Sequence, residues 1–272
     1  MKEISQEILN RKGPRKTDEV LPEVKALLEA GKLETVNLTE WLVVDQNQLI
    51  QAVFPSLGLD AHIPFLQDRM LSLAKPTAMK MVKLVGESLR ELSTSPAEAT
   101  SWRDKLGAHH SDILRSYAPY LVELEGENIH DYLEAFRPFA ADHHFGVREV
   151  AWIAVRPTLI KHLNLGLDLL LEWVMDTDEN IRRFASELTR PRGVWCAHID
   201  ALKAEPEQAL QLLEPLKSDP SKYVRDSVGN WLNDASKTQA EFVKTVCKRW
   251  GKESQTKETT YIVKRALRSI NK

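Results

Sequence analysis

A repeat runs through the second half of the chain and limits what it can fold into. The stretch "VREVAWIAVRP" (147–157) aligns with "IRRFASELTRP" (181–191). Each opens on an aliphatic residue and arginine, places alanine four positions after the aliphatic one, and closes on Arg-Pro. A third copy, "VRDSVGNWLND" (224–234), keeps the opening and loses the ending. An aspartate stands five residues before each copy: Asp142, Asp176 and Asp219. A degenerate fourth copy runs through "ETTYIVKRALRSI". Intervals of roughly 34 to 43 residues suit helical hairpins of the HEAT or armadillo type, whose apolar faces are buried against neighbouring hairpins.

The rest of the chain agrees with helices. Glycine is scarce, 11 in 272 residues, and segments such as "LGLDLLLEWVM" and "PEQALQLLEPL" space their apolar residues helically. The fold class read from this is all-α, a right-handed α-solenoid of HEAT-like helical-hairpin repeats with a basic concave face. First helices are expected near 129–141, 165–175, 206–217 and 238–250. Second helices are expected near 145–156, 179–189, 221–233 and 256–270. Pro157 and Pro191 should stop their helices, because the residue before a proline avoids the helical region. Residues 129–272 then make the array, with a helical part over 21–128 packed on it. Residues 1–20 are expected to be loosely ordered, and the whole to form one continuous domain.

Several function classes fall away. No apolar run approaches the roughly 20 residues that cross a bilayer, and the charged N-terminus lacks the apolar core of a signal peptide. Cys196 and Cys247 are too few for a disulfide framework and have no metal-ligand spacing. His143 and His144 in "DHHFG" have no third ligand at metal spacing and read as polar loop residues. A cytoplasmic protein without membrane contact is expected. A formal net charge of −2 argues against a wholly basic coat protein but allows a basic stripe on one face.

The arginines supply such a stripe. With Val147 at zero and about 100° per residue, Val150, Ala151, Ala154 and Thr158 form the buried side. Arg148, Trp152, Arg156 and Glu149 fall at about 100°, 140°, 180° and 200°, on the opposite arc. Arg182, Arg183, Ser186 and Arg190 take that arc in the next copy, and Arg225, Gly229 and Asn233 in the third. Equivalent arginines on stacked second helices would form a track of positive charge suited to phosphate. Arg148, Arg182 and Arg225 have a second reading, as partners of the turn aspartates between repeats. Arg156, Arg183, Arg190 and Arg192 lack a regular aspartate partner and read as ligand contacts. Trp152 is expected to stack on a base or sugar from the outer arc. Trp195 follows Arg192 in an irregular turn and reads either way, whereas Trp173, Trp231 and Trp250 read as core.

The segments "IRRFASELTRPRGVW" and "LEPLKSDPSKYVRDSVGNWLNDASK" resemble the C-terminal half of the HEAT-like-repeat DNA alkylation repair glycosylases, the AlkC/AlkD group. The likeness is to the AlkC branch, is specific over about 145–240, and is diffuse before that. It implies excision of N3- or N7-alkylated purines from duplex DNA by N-glycosidic bond hydrolysis, by a monomer without metal or organic cofactor. The AlkC pattern resembles "EFAVRP", with glutamate where this chain has Trp152. The AlkD pattern resembles "WxxxD", with aspartate where this chain has Arg156. Neither carboxylate is present, so Glu149 is the expected substitute. Asp234 in "LND" matches a recurrent AlkC-like aspartate. The catalytic set expected is thus Glu149, Trp152 and Asp234. DNA binding is expected of Arg148, Arg156, Arg182, Arg183, Arg190, Arg192, Trp195, Arg225 and Asn233. Two alternatives stay open: a non-catalytic DNA-binding relative, and a protein-interaction scaffold, which would need an apolar or acidic groove.

Overall fold

A computed structural model describes residues 4–270. The chain is all-α, built of helical hairpins, with no β-strand among the described residues and no helix long and apolar enough to cross a membrane. The first three residues of the 1–20 segment lie outside the described residues. Beyond them a helix Gln6–Leu9 and a 3-10 turn Thr17–Glu19 form, and Arg11 is salt-bridged to the buried Glu40 at 2.7 Å.

The chain divides into two compact units. One runs through Glu123 and includes His144–Ala151; the other comprises Leu124–His143 and Trp152–Lys272. In the first unit, short polar residues start the helices by accepting from backbone N–H groups that a helix leaves unpaired. Asn37 does so for Leu38–Val43, Asp45 for Gln46–Leu57, Thr77 for Ala78–Leu92 and Ser95 for Pro96–Gly107. Leu49, Ile50, Phe54, Leu66, Val82, Val85, Leu89 and Leu106 fill its core. Gly86 permits a close approach, because a Cβ there would sit 2.5 Å from Tyr120 Cβ and 2.7 Å from the Tyr117 carbonyl.

His144 is not a loop residue in solvent, as "DHHFG" suggested. It is buried, with Nε2 2.7 Å from the Thr35 carbonyl and Nδ1 accepting from Gly146 N. Asp112, fully buried beside it, accepts from the Thr35 amide at 2.9 Å and hydroxyl at 2.8 Å. Burial pushes the Asp112 carboxyl up, against the pull of His144 and these donors.

The second unit carries the repeat. Glu179–Leu188, Lys222–Ala235 and Lys257–Ala266 are successive second helices, each packed on the next. Asp178, Ser221 and Thr256 cap them. The first helices Leu163–Trp173 and Ala240–Glu253 are continuous. The expected 206–217 helix is broken into two 3-10 turns flanking Leu210–Leu213, with Pro206 and Pro215 removing amide donors. The expected 129–141 helix likewise splits into Ile129–Glu134 and Arg137–Ala140, the latter with proline in its first turn.

Pro157 does not stop its helix. Phe145–Lys161 runs through it, losing one backbone bond, and its residues divide between the two units at Ala151 and Trp152.

The turn aspartates have one repeated role. Oδ1 of Asp176 accepts from Asp178 N and Oδ1 of Asp219 from Ser221 N, both at 2.8 Å. Their Oδ2 atoms each take an arginine from the preceding element, Arg137 on Asp176 and Arg182 on Asp219, both at 2.7 Å. Arg182 also donates to the carbonyls of Asp176 and Thr177, and Arg225 does the same to Asp219 and Pro220. The stacking of hairpins is thus fastened by ion pairs that also shape the turns.

Candidate nucleic-acid interface

The arginines expected on one outward arc separate into distinct environments. Arg182 and Arg225 belong to the turn ladder just described, and each is half-buried. Their outward reading is corrected: guanidinium N–H groups fork onto carbonyls of the turn that precedes each helix.

Arg156 and Trp152 are sealed in, at 1% and 2% exposure, which corrects their placement on an exposed face. Arg156 Nη1 donates to the Leu188 carbonyl at 2.5 Å, Nη2 to the Arg190 carbonyl at 2.5 Å, and Nε to the Ala197 carbonyl at 2.9 Å. Its guanidinium stands 6.0 Å from the Trp152 ring. The end of the next repeat's second helix and the loop after it cover this face, so the wheel angle was right and the solvent was not there. A cation on the last carbonyls of a helix also offsets the negative end of its dipole. Burial pulls the Arg156 pKa down, though arginine stays charged at neutral pH. Asn233, 2% exposed, is likewise turned inward: its amide nitrogen donates to the Ala266 carbonyl and Ser269 Oγ.

Arg190 is the centre of the remaining group. Its Nη1 meets Glu187 Oε1 at 2.5 Å, and its Nη2 and Nε meet Asp234 Oδ2 at 2.6 and 2.9 Å. Lys237 Nζ takes the other Asp234 oxygen at 2.9 Å, and Arg192 Nε donates to the Asp234 carbonyl. Glu187 Oε2 accepts from Ser227, which accepts from Ser186, and lies 3.6 Å from Arg183. The Arg183 guanidinium covers the Tyr223 ring at 4.3 Å. Arg183 and Arg190, expected to lack a regular aspartate partner, both meet Glu187, on the helix that carries Arg183 and ends just before Arg190, and Arg190 is also joined by Asp234 from the next helix. Asp234 is 4% exposed within this network.

Two carboxylates thus share Arg183, Arg190 and Lys237, with Arg192 adjoining, which leaves positive charge in excess. Burial raises the Glu187 pKa, but Arg183 and Arg190 outweigh it and hold the carboxyl below the ordinary glutamate range. Burial lowers Arg190, and Glu187 and Asp234 more than restore it.

Beside this network the segment 189–199 makes a tight loop, closed by Ile199 N donating to the Pro191 carbonyl. Trp195 stands on it at 60% exposure with φ +67, and no other non-glycine among the described residues has positive φ. Val194 is also exposed, at 49%. The loop's base is fixed by Arg192 to Asp234 and by Arg156 to Ala197. A non-glycine residue in the left-handed region carries backbone strain that the surrounding contacts maintain. Arg148 and Glu149 lie half-buried on the part of the Phe145–Lys161 helix that belongs to the first unit. Trp173, Trp231 and Trp250 are core, as expected.

Glu187 and Lys237 belong to this network without having been expected there. Glu187 was legible as the residue three before Arg190, a spacing that brings helix side chains together. Lys237 stands at the same spacing after Asp234.

A family model described as DNA alkylation repair enzyme matches residues 126–270. The chain is 37% identical over 166 residues to the uncharacterized protein YhaZ of Bacillus subtilis (strain 168), covering 59% of this chain and 46% of that protein. Among solved structures, it is similar to Pseudomonas fluorescens alkylpurine DNA glycosylase AlkC bound to DNA containing an abasic site analog. That match has a TM-score of 0.65 and 27% identity, and covers 82% of this chain and 60% of the other. AlkD2 from Streptococcus mutans shares the fold, with a TM-score of 0.60 at 23% identity over 76% of this chain and 96% of that one. The chain therefore spans under half the length of the curated relative and about three fifths of the AlkC chain.

Proposed function

We propose that this chain, which belongs to the DNA alkylation repair enzyme family, binds duplex DNA through the Arg190-centred face and hydrolyses the N-glycosidic bond of N3- or N7-alkylated purines. The observation that carries the reading is the clasp of Arg190 between Glu187 and Asp234, surrounded by excess cations and adjoined by an exposed, conformationally strained tryptophan.

Each part has a task. Arg183, Arg190, Arg192 and Lys237 face the phosphates, whose neutralisation supplies salt-sensitive affinity. An alkylated purine is cationic and leaves readily. As the bond from C1′ to the purine breaks, its electron pair goes to the base and positive charge grows on the deoxyribose. Ionised carboxylates stabilise that charge and orient the water that adds at C1′, with loss of its proton to solvent. Glu187 and Asp234, each 4% exposed, fit the electrostatic part of this role through their field, and Arg183 and Arg190 hold the Glu187 carboxyl below the ordinary glutamate range. The Trp195 indole offers its face to the cationic base. Glu149, half-buried on the part of its helix that belongs to the first unit, is kept as a separate candidate. Trp152 loses its catalytic role in this reading, since a sealed and uncharged ring neither reaches the base nor acts on it at a distance as a buried carboxylate does.

AlkC is described by its own structure as an alkylpurine DNA glycosylase bound to DNA, which supports both substrate and partner. One observation favours a non-catalytic relative: where the AlkC-like pattern has glutamate, this chain has a buried tryptophan. Release of methylated purines from alkylated duplex DNA decides between them. The glycosylase reading expects release by the wild type and its loss in Asp234→Asn and Glu187→Gln, with Glu149→Gln as the comparison. DNA binding without any release establishes the non-catalytic reading, and absence of both defeats the proposal.

A further inference from the structure

The last repeat carries a second cationic feature, which the network around Arg190 does not absorb. Asn230 Oδ1, on the Lys222–Ala235 helix, accepts from Arg265 Nε at 3.0 Å and from Arg268 Nη2 at 3.0 Å. Two guanidinium groups therefore converge on one uncharged oxygen. An amide oxygen contributes a dipole but no charge, so the like charges it gathers stay uncompensated by it.

The surroundings hold the two arginines in place. Gly229 lets the Arg265 stem lie flat on the helix, since a Cβ there would stand 2.8 Å from Arg265 Cδ and 2.9 Å from its Cβ. Arg268 sits on the 3-10 turn Leu267–Ser269, and the buried Asn233 amide fastens that turn on both sides of it, through the Ala266 carbonyl and Ser269 Oγ. Arg268 Nη1 also donates to the Arg265 carbonyl at 2.8 Å. The carboxylate nearest Arg265 is shared with another cation. Asp226 Oδ1 is 3.5 Å from Arg265 Nη1, but the same carboxylate binds Lys222 and the Tyr261 hydroxyl. Asp234 and Arg190 act on Arg268 from further off with opposite signs, and no carboxylate among the described residues lies within salt-bridge reach of it. Arg268 is exposed and Arg265 partly so.

We propose that Arg265 and Arg268, spaced by Asn230, form a phosphate clamp that takes one phosphodiester of the DNA backbone beyond the Arg190 network. The clamp rests on the DNA-binding reading and extends its footprint by one repeat. A phosphate oxygen accepts from both guanidiniums and supplies the charge that Asn230 lacks.

The test uses fluorescence anisotropy of duplex DNA with the full-length chain across a range of salt, alongside thermal melting. Arg268→Gln should reduce the slope of log affinity against log salt by about one. Asn230→Asp is the sharper variant, because a carboxylate there satisfies both arginines internally. It should melt no lower than the wild type yet bind DNA roughly tenfold more weakly at low salt. A purely structural triad would give an Asn230→Asp protein with unchanged DNA affinity, and that result overturns the clamp. So does an unchanged slope in Arg268→Gln when the wild type binds normally. Inorganic phosphate that displaces DNA from the wild type, but not from Arg268→Gln, at matched ionic strength would assign the site to a free anion instead. A wild type that binds no DNA at low salt overturns the DNA-binding reading itself, and the clamp with it.

Discussion

Arg156 Nη2 donates to the backbone carbonyl of Arg190 at 2.5 Å, so one arginine positions the next rather than sharing a ligand with it. Removing Arg156 leaves the carbonyls of Leu188, Arg190 and Ala197 without that donor in a buried setting. Arg156→Met should lower stability by about 3 kcal/mol in chemical denaturation. The salt slope of DNA binding, measured where the variant is folded, should not change. A loss below about 1 kcal/mol would show that water replaces the guanidinium at little cost.

The Glu187 carboxyl titrates below its ordinary range in the folded protein and at that range when unfolded. Its pairing therefore stabilises the fold above the unfolded value and is lost as pH falls through the folded one. Glu187→Gln should be clearly less stable than the wild type at about pH 7, and that difference should shrink at about pH 3. Denaturant midpoints at the two pH values check this. A gap that stays constant would place the stabilising effect of Glu187 outside its charge.

Trp195 separates stability from function. With φ +67 and 60% exposure, its replacement by glycine removes strain and little burial. Trp195→Gly should leave the melting temperature equal or slightly raised while base release falls at least tenfold. A large fall in melting temperature would assign the ring to packing.

Arg182 and Asp219 form a bridge between repeats, with side-chain exposures of 13% and 4%. A double-mutant cycle with alanine at both sites should give a coupling of about 1 to 2 kcal/mol. DNA binding by Arg182→Ala should keep the wild-type salt slope. A slope reduced by about one would return Arg182 to the phosphate contacts.

Periodicity made the hairpins legible because buried stripes and caps are local: Ile181, Phe184, Ala185 and Leu188 are core as their angles require. The same angles failed for Trp152 and Arg156. Whether a face is open depends on what later covers it, and the covering loop lies some forty residues on, at Ala197. Partners across repeats, such as Asp234 for Arg190 and Asn230 for Arg268, are invisible for the same reason. Asp176 and Asp219 are legible from spacing alone, since each stands five residues before its copy and takes the same turn-closing and arginine-binding role. Glu187 was overlooked although its spacing from Arg190 is local; the wheel placed it between the stripe and the arc.

The carbonyls ending the Glu179–Leu188 helix are claimed from two directions, Leu188 and Arg190 by Arg156 before it, and Thr189 by the Trp231 indole after it. Such a hairpin is no interchangeable brick. Duplicating it, or splicing in a copy from elsewhere in the chain, would set bare carbonyls against a neighbour with no matching donor. This lineage can change its length at the ends of the array far more readily than in its middle.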